Sequence, residues 1–427
     1  MKKTKFLVYL LLALLWFNPA FGQNLNESEQ LGKSVFMDED LSINGDQSCA
    51  SCHGPSMGWT GALSSINAGG GVYEGSVSGA FGDRKPPSAA YATQSPIFAY
   101  HRQGGGLFVG GNFWDGRATG EKLGNPAADQ AQGPFLNPVE QALPDKACVV
   151  YFVCTASYPV SIEDVYPGAC DITWPADVES ECAISPGFVK LDPDDSALVD
   201  TNYDRIALAI ADYEASSELN AFSSKYDAYL MKMADLDDME KQGLKLFNGK
   251  AKCSRCHTSK AKQGELPLFT DYTFDNLGVP RNPDNPFYTQ ERNEEGFDWV
   301  DDGLAGFLET QTEYLGMADE YKGSQKVPTL RNVDLRPAPD FIKAFSHNGY
   351  FKSLKGIVHF YNTRDVKPTC EEVFTTEAEA LDQGCWPEPE HTESMNDDEL
   401  GDLKLTDEQE DAIVAFLKTL SDGYIKP

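Results

Sequence analysis

Cys49-Ala50-Ser51-Cys52-His53 recurs in this chain as Cys253-Ser254-Arg255-Cys256-His257. Two thiols three positions apart, followed at once by an imidazole, form the attachment pattern of a c-type haem. Both sulfurs make thioethers to the porphyrin, and the histidine reaches the iron from the proximal side. The rest of the sequence is therefore read as serving two covalently bound haem c groups. The competing reading is a shared zinc ion or a pair of redox dithiols. The two pairs lie about two hundred residues apart and each carries its own histidine, which favours haem.

Upstream, Lys2, Lys3 and Lys5 precede an apolar run from Phe6 to Phe17 and the stretch Asn18-Pro19-Ala20-Phe21-Gly22. This is the pattern of a secretory signal peptide over residues 1–22, too short and wrongly flanked for a retained membrane helix. No later stretch is long and apolar enough to span a bilayer. Covalent haem is attached outside the bacterial cytoplasm, so the mature chain is expected in the periplasm. The length suits two or three domains. Formal charge is −31, and loss of the three leader lysines makes it about −34. With no local basic patch, that surface argues against nucleic acid or anionic lipid as partners. It either steers a basic redox partner or only keeps the protein soluble.

Of ten cysteines, six lie outside the haem motifs: Cys148, Cys154, Cys170, Cys182, Cys370 and Cys385. An even remainder in an exported protein argues for three disulfides, with fifteen connectivities open, and proximity favours Cys370 with Cys385.

The segments before the two motifs also match. Glu29-x-x-Gly32-x-x-x-Phe36, in a helix expected from Asn26 to Phe36, is echoed by Glu240-x-x-Gly243-x-x-x-Phe247. Glycine in a helix costs about 1 kcal/mol against alanine, so a matched pair points to close packing. Each half is expected to close with an amphipathic helix, Tyr203 to Ala215 in the first and Leu405 to Leu420 in the second, the latter with a Thr406/Gln409 capping box. The domains are accordingly placed at 23–220 and 236–427, with the boundary near Leu219 to Leu236. Between the first motif and Trp114, Gly104-Gly105-Gly106 and Gly110-Gly111 predict loops wrapped around a cofactor rather than regular sheet. Residues 147–185 read as a disulfide-pinned insertion, and Cys370 to Leu400 as an acidic surface excursion without catalytic chemistry.

Four histidines remain beyond the motifs: His101, His347, His359 and His391. In Phe113-Trp114-Asp115-Gly116-Arg117-Ala118, the indole could pass electrons between two haems, or it could be a buried Trp with a satisfied N–H beside an Asp–Arg pair. Glu140, after Gly133-Pro134-Phe135-Leu136-Asn137-Pro138-Val139, could shuttle a proton between peroxide oxygens, or could be a solvated helix start.

In several ordered blocks the chain resembles the bacterial di-haem cytochrome c peroxidase and MauG family. They are Leu41-Ser42 with the first haem motif, Phe113 to Ala118, Gln130-Ala131-Gln132-Gly133-Pro134, Asn137-Pro138-Val139-Glu140, Lys326 to Val333 and His347 to Asp365. The match covers most of both haem regions but not the two cysteine excursions. The resemblance implies a peroxidatic haem in the first domain, an electron-transfer haem in the second, and Trp114 between them. Gln130, Pro134 and Glu140 would line the distal pocket of the first haem, with Glu140 as its acid/base group. Tyr361 stands where the second haem's distal ligand is found: cytochrome c peroxidases usually have methionine there, and MauG-like members have tyrosine.

Four departures follow. A Tyr361 phenolate favours ferric and higher-valent iron and should lower that haem's potential relative to a thioether, unless Tyr361 is only an aromatic packed beside His359. No histidine follows the first motif where many of these peroxidases carry a displaceable ligand. Lys85 replaces an asparagine that often binds calcium in the family; an ammonium cannot ligate calcium, so calcium is left open. Finally, the Tyr100 to Asn112 region looks like an insertion, leaving His101 as a surface residue or a distal ligand.

The expectation is thus an all-α protein of two cytochrome c-like haem domains with loop-rich, disulfide-pinned insertions, acting as a periplasmic peroxidase. It would reduce hydrogen peroxide with electrons from a small cytochrome c or cupredoxin. The alternatives are MauG-like, peroxide-dependent oxidation of residues in a partner protein, and a di-haem electron carrier, against which Gln130 and Glu140 count.

Overall fold

Two crossed helix pairs carry the architecture. The computed structural model describes residues 24–261 and 264–425. The signal peptide expected over residues 1–22 lies outside them. Asn26 and Glu29 close a reciprocal capping box that starts the helix Glu27–Met37, and Asp237 and Glu240 do the same for Asp238–Phe247. The repeated glutamate is therefore a capping residue. The repeated glycine is a crossing point. A Cβ on Gly32 would lie 1.8 Å from the Ala209 carbonyl oxygen of the helix Pro193–Ala215, and one on Gly243 would lie 1.9 Å from that of Ala412 in the helix Asp407–Lys418. The repeated phenylalanines, Phe36 and Phe247, are buried one helical turn further on. The first closing helix is longer than its apolar stripe suggested, because Asp192 caps it and Pro193 occupies its first turn.

Each crossing seeds one core. The first core runs from Leu31 to Leu219 and the second from Tyr226 to Leu420. Tyr226 packs edge-on against Phe269 and Phe416, so the second core begins inside the predicted boundary stretch. Arg331, fully buried, binds Asp227 through both terminal nitrogens at 2.9 and 2.7 Å, and its guanidinium lies over the rings of Tyr91 and Phe222. This buried, bidentate ion pair lies within the second half, and the guanidinium's contact with the Tyr91 ring of the first half carries it to the join.

The fold is dominated by helix, yet it is not purely α. Ala99–His101 pairs antiparallel with Leu107–Val109, and Phe274–Asp275 with Gln325–Lys326. The first hairpin belongs to the region expected to be loop; Gly105 and Gly106 turn it at φ of +97° and +79°. Its Phe108 stacks on Phe98 at 5.3 Å, and both join Phe274, Leu304 and Leu308 in a satellite core built from both halves.

Disulfides link Cys148–Cys182, Cys154–Cys170 and Cys370–Cys385. Among the described residues no helix is long and apolar enough to cross a membrane.

Alanine at Gly32 or Gly243 tests the crossings. Helix propensity alone would stabilise either variant by about 1 kcal/mol. The missing space at the carbonyls makes each expected to lose about 1–3 kcal/mol instead, read as a lower midpoint in thermal or denaturant unfolding. A raised midpoint would show that the helices do not touch there.

Candidate functional site

Two cavities, each open to solvent on one side, occupy the space beside the two crossings. In the first, Cys49–Cys52 forms one helical turn, and the His53 N–H closes it on the Cys49 carbonyl at 2.9 Å. Cys49, Cys52 and His53 thereby reach one cavity wall. His53 Nδ1 lies 3.2 Å from the Trp59 carbonyl oxygen, which leaves Nε2 for a ligand. Burial lowers the imidazole pKa to about 4, so the ring is neutral and its lone pair is available.

Gln130, Pro134, Glu140 and Trp114 line the same cavity. Gln130 lies in the last turn of the helix Pro126–Ala131, Pro134 sits in the first turn of Gly133–Leu136, and Glu140 follows in a turn, its N–H bound to the Asn137 carbonyl at 3.0 Å. Burial pushes the Glu140 carboxyl up to about 7, against the pull of the Arg117 charge. It is therefore not the solvated helix start of the alternative reading. A second carboxyl, Glu214, lines this cavity from the closing helix, and burial pushes it up to about 8. Sequence reading missed it because its position continues an ordinary apolar stripe. His53 is the only histidine among the lining residues, and His101 is exposed on the hairpin outside both cavities.

The second cavity repeats the first with different walls. Cys253, Cys256 and His257 line it, and His257 Nδ1 lies 2.9 Å from the Phe269 carbonyl oxygen. Tyr361 lines it from the helix Leu354–Thr363, and no methionine does among the described residues. The phenol hydroxyl has no hydrogen-bond partner among the described residues. Burial, followed by the nearby thiols of Cys253 and Cys256, pushes its pKa well above the usual value. His359 turns away to Glu410 at 3.0 Å.

The stretch Cys370 to Leu400 is more than a surface excursion. It folds back so that Glu390, His391 and Glu399 line the second cavity, while Trp386 is buried against Phe351 and Phe360. Glu390 Oε2 lies 3.0 Å from His347 Nε2, and the His347 ring stands edge-on to Trp114 at 6.4 Å. Acidic composition concealed this return, because the apolar anchor, Trp386, is a single residue with no periodicity around it.

The cavities share a strip that contains Lys85, Trp114, Lys326 and Pro328. The indole Nε1–H donates to the Lys85 carbonyl at 2.8 Å, and the Trp114 carbonyl accepts from the Lys326 N–H at 2.7 Å. The turn that presents Trp114 needs Gly116, whose φ is +77° and whose added Cβ would meet the Phe274 ring at 2.7 Å. Asp115 binds Arg117 at 2.5 Å and Arg84 at 2.6 Å, and Arg84 also binds Asp301 of the second half at 2.6 Å. Trp114 thus has the satisfied N–H and the Asp–Arg neighbour of the purely structural reading, and it also stands between the cavities.

Each cavity offers what a c-type haem requires: two thiols outside any disulfide, a neutral histidine with one nitrogen already fixed, and walls of mainly apolar side chains. The Lys85 ammonium, bound to Thr60 Oγ1 and the Pro86 carbonyl, provides no ligand for a divalent cation.

The sequence model for the di-haem cytochrome c peroxidases matches residues 26–235. The methylamine utilization protein MauG of Paracoccus denitrificans is 33% identical over 408 residues, covering 93% of this chain and 89% of that protein. The cytochrome c551 peroxidase of Nitrosomonas europaea is 26% identical, covering 72% of this chain and 66% of its own. The crystal structure of the diheme peroxidase BthA from Burkholderia thailandensis superposes with a TM-score of 0.67 at 27% identity, over 93% of this chain and 86% of that one. By these likenesses, and by two cavities built for a pair of c-type haems, the chain belongs to the di-haem cytochrome c peroxidase and MauG family and is an oxidoreductase of that kind.

Proposed function

We propose that this chain is a periplasmic enzyme that reduces hydrogen peroxide in its first cavity and draws the electrons through its second. The observation that carries this reading is the joint placement of Gln130, Pro134 and Glu140 in a cavity whose sole histidine is the motif residue His53. Cys49, Cys52 and His53 would hold the first haem, and Cys253, Cys256, His257 and Tyr361 the second. When bound, the haems supply the redox chemistry, accepting and delivering the two electrons of peroxide reduction.

The protein's own part is proton management. Ionised Glu140 takes the proton from one peroxide oxygen and returns it to the other, so that the O–O bond opens with water as the leaving group. A carboxyl poised near 7 is suited to both halves of that transfer. Gln130 and Pro134 shape and orient the peroxide. Trp114 connects the two cavities; its N–H is held by a carbonyl rather than a base, so the indole would pass charge without losing its proton. An electron carrier has no use for an acid/base group buried beside the haem ligand, which counts against the carrier reading.

The electrons would come from a small cytochrome c or a cupredoxin, whose basic face the acidic surface would attract. A second reading, oxidation of residues in a partner protein, draws support from Tyr361. A hard oxygen ligand in a cavity without methionine favours retention of an oxidising equivalent at the second haem. The leader sequence and the covalent haem motifs support the periplasmic location.

Three outcomes test this reading. Glu140→Gln should retain both haems by pyridine haemochrome assay and lose about 100-fold or more in peroxide turnover. In the parent enzyme, the second-order rate constant for peroxide should rise with pH through about 7 and level off above it, because only the ionised carboxyl accepts the first proton. A flat profile would remove Glu140 from the rate-determining step. Tyr361→Met should raise the reduction potential of the second haem by more than about 59 mV, a tenfold change in the one-electron equilibrium, with a new thioether-type spectrum. An unchanged potential would return Tyr361 to packing.

A further inference from the structure

Two buried lysines, Lys85 and Lys343, and the half-buried Lys326 line the cavities near their junction, and none of them forms a salt bridge with a carboxylate among the described residues. Lys343 places its protons on three backbone carbonyls, those of Met57, Asn332 and Leu335. Lys326 places its own on Ser95 Oγ, the Gly111 carbonyl and Asn112 Oδ1. Lys85 differs from both. It donates to Thr60 Oγ1 at 2.8 Å and to the Pro86 carbonyl at 2.9 Å, and Thr60 spends its own proton on the same Pro86 carbonyl. The third Lys85 proton has no partner among the described residues, although the residue is only 7% exposed and lines both cavities.

A buried ammonium with neutral partners and one unused donor is an incomplete anion site. Burial alone pulls Lys85 down to about 7, so the folded chain without an anion holds the charge poorly. On the di-haem reading, the anions brought into these cavities are the haem propionates. They lie on the edge of the macrocycle opposite the thioether edge, and the shared strip contains Lys85 but none of the motif cysteines.

We infer that Lys85 is a cofactor-binding residue, whose third ammonium proton binds a haem propionate where the two cavities meet. The pair would keep Lys85 charged, neutralise one carboxylate beside Trp114, and add a fixed positive charge close to the haem. A nearby cation favours the reduced state, so its removal lowers the potential.

The test uses the full-length holoprotein and the variants Lys85→Met and Lys85→Arg, with haem counted by pyridine haemochrome and potentials measured by spectroelectrochemical titration. Lys85→Met is expected to keep two haems while one of them becomes about tenfold harder to reduce, a fall of about 59 mV for one electron, and Lys85→Arg is expected to restore most of that shift. A residue that only clamps the halves together would lower the unfolding midpoint and leave both potentials in place, and that result overturns the inference. Should Lys85→Met fail to fold, the crystal structure of the parent holoprotein decides. A propionate oxygen within hydrogen-bond distance of Nζ upholds the inference, and a third partner of water or protein overturns it. A parent chain carrying fewer than two haems would overturn the di-haem reading and this inference together, whereas unmoved potentials in a two-haem variant overturn this inference alone.

Discussion

The contact of Gly32 with the Ala209 carbonyl, repeated as Gly243 with that of Ala412, is the constraint from which the molecule is built. Two helices that touch backbone to backbone cannot fill the space on their flank with their own side chains. They leave a recess, bordered by Phe36 in one half and Phe247 in the other, into which the Cys-x-x-Cys-His turn faces. The duplicated glycine is therefore as much a part of the cofactor site as the duplicated cysteines. A side chain there would push the helices apart and open the cavity floor.

Duplication supplies two similar cavities whose walls differ. The first cavity has buried carboxyls and a single histidine; the second has Tyr361, a returning acidic segment and no methionine. Between them, Trp114 is held at its indole N–H by one lysine backbone and at its carbonyl by another. Arg84, bridging Asp115 and Asp301, locks the two halves at that point. The ion pairs of Arg84 with Asp115 and Asp301 are largely buried, so folding itself sets the two sites side by side.

Much of this was legible in the sequence because it is local. The haem motifs, the Thr406/Gln409 capping box and the Phe113 to Ala118 turn each declare themselves within a few residues. Glu140 is raised by its place after the proline loop and given its role by the motif resemblance, whereas its burial in the first cavity cannot be read from its neighbours in sequence. The residues that escaped notice are brought in by long-range return of the chain. Glu390 and His391 reach the second cavity across an acidic stretch with no periodicity, and Glu214 hides on a helix face that reads as plain core. The hairpin of Ala99–His101 and Leu107–Val109 reads as loop in sequence because its strands are three residues each, too short for an alternating pattern to stand out.

On the proposed function the fully oxidised enzyme would already be competent, since among the described residues His53 is the only histidine lining the first cavity and Tyr361 would favour an oxidised second haem. The most direct measurement is stopped-flow absorbance of the diferric holoprotein mixed with hydrogen peroxide in the absence of reductant. The expected result is rapid consumption of one equivalent of peroxide per chain, with spectral change at both haems. No reaction until one electron has been added would contradict the claim and assign the chain to the reductively gated peroxidases.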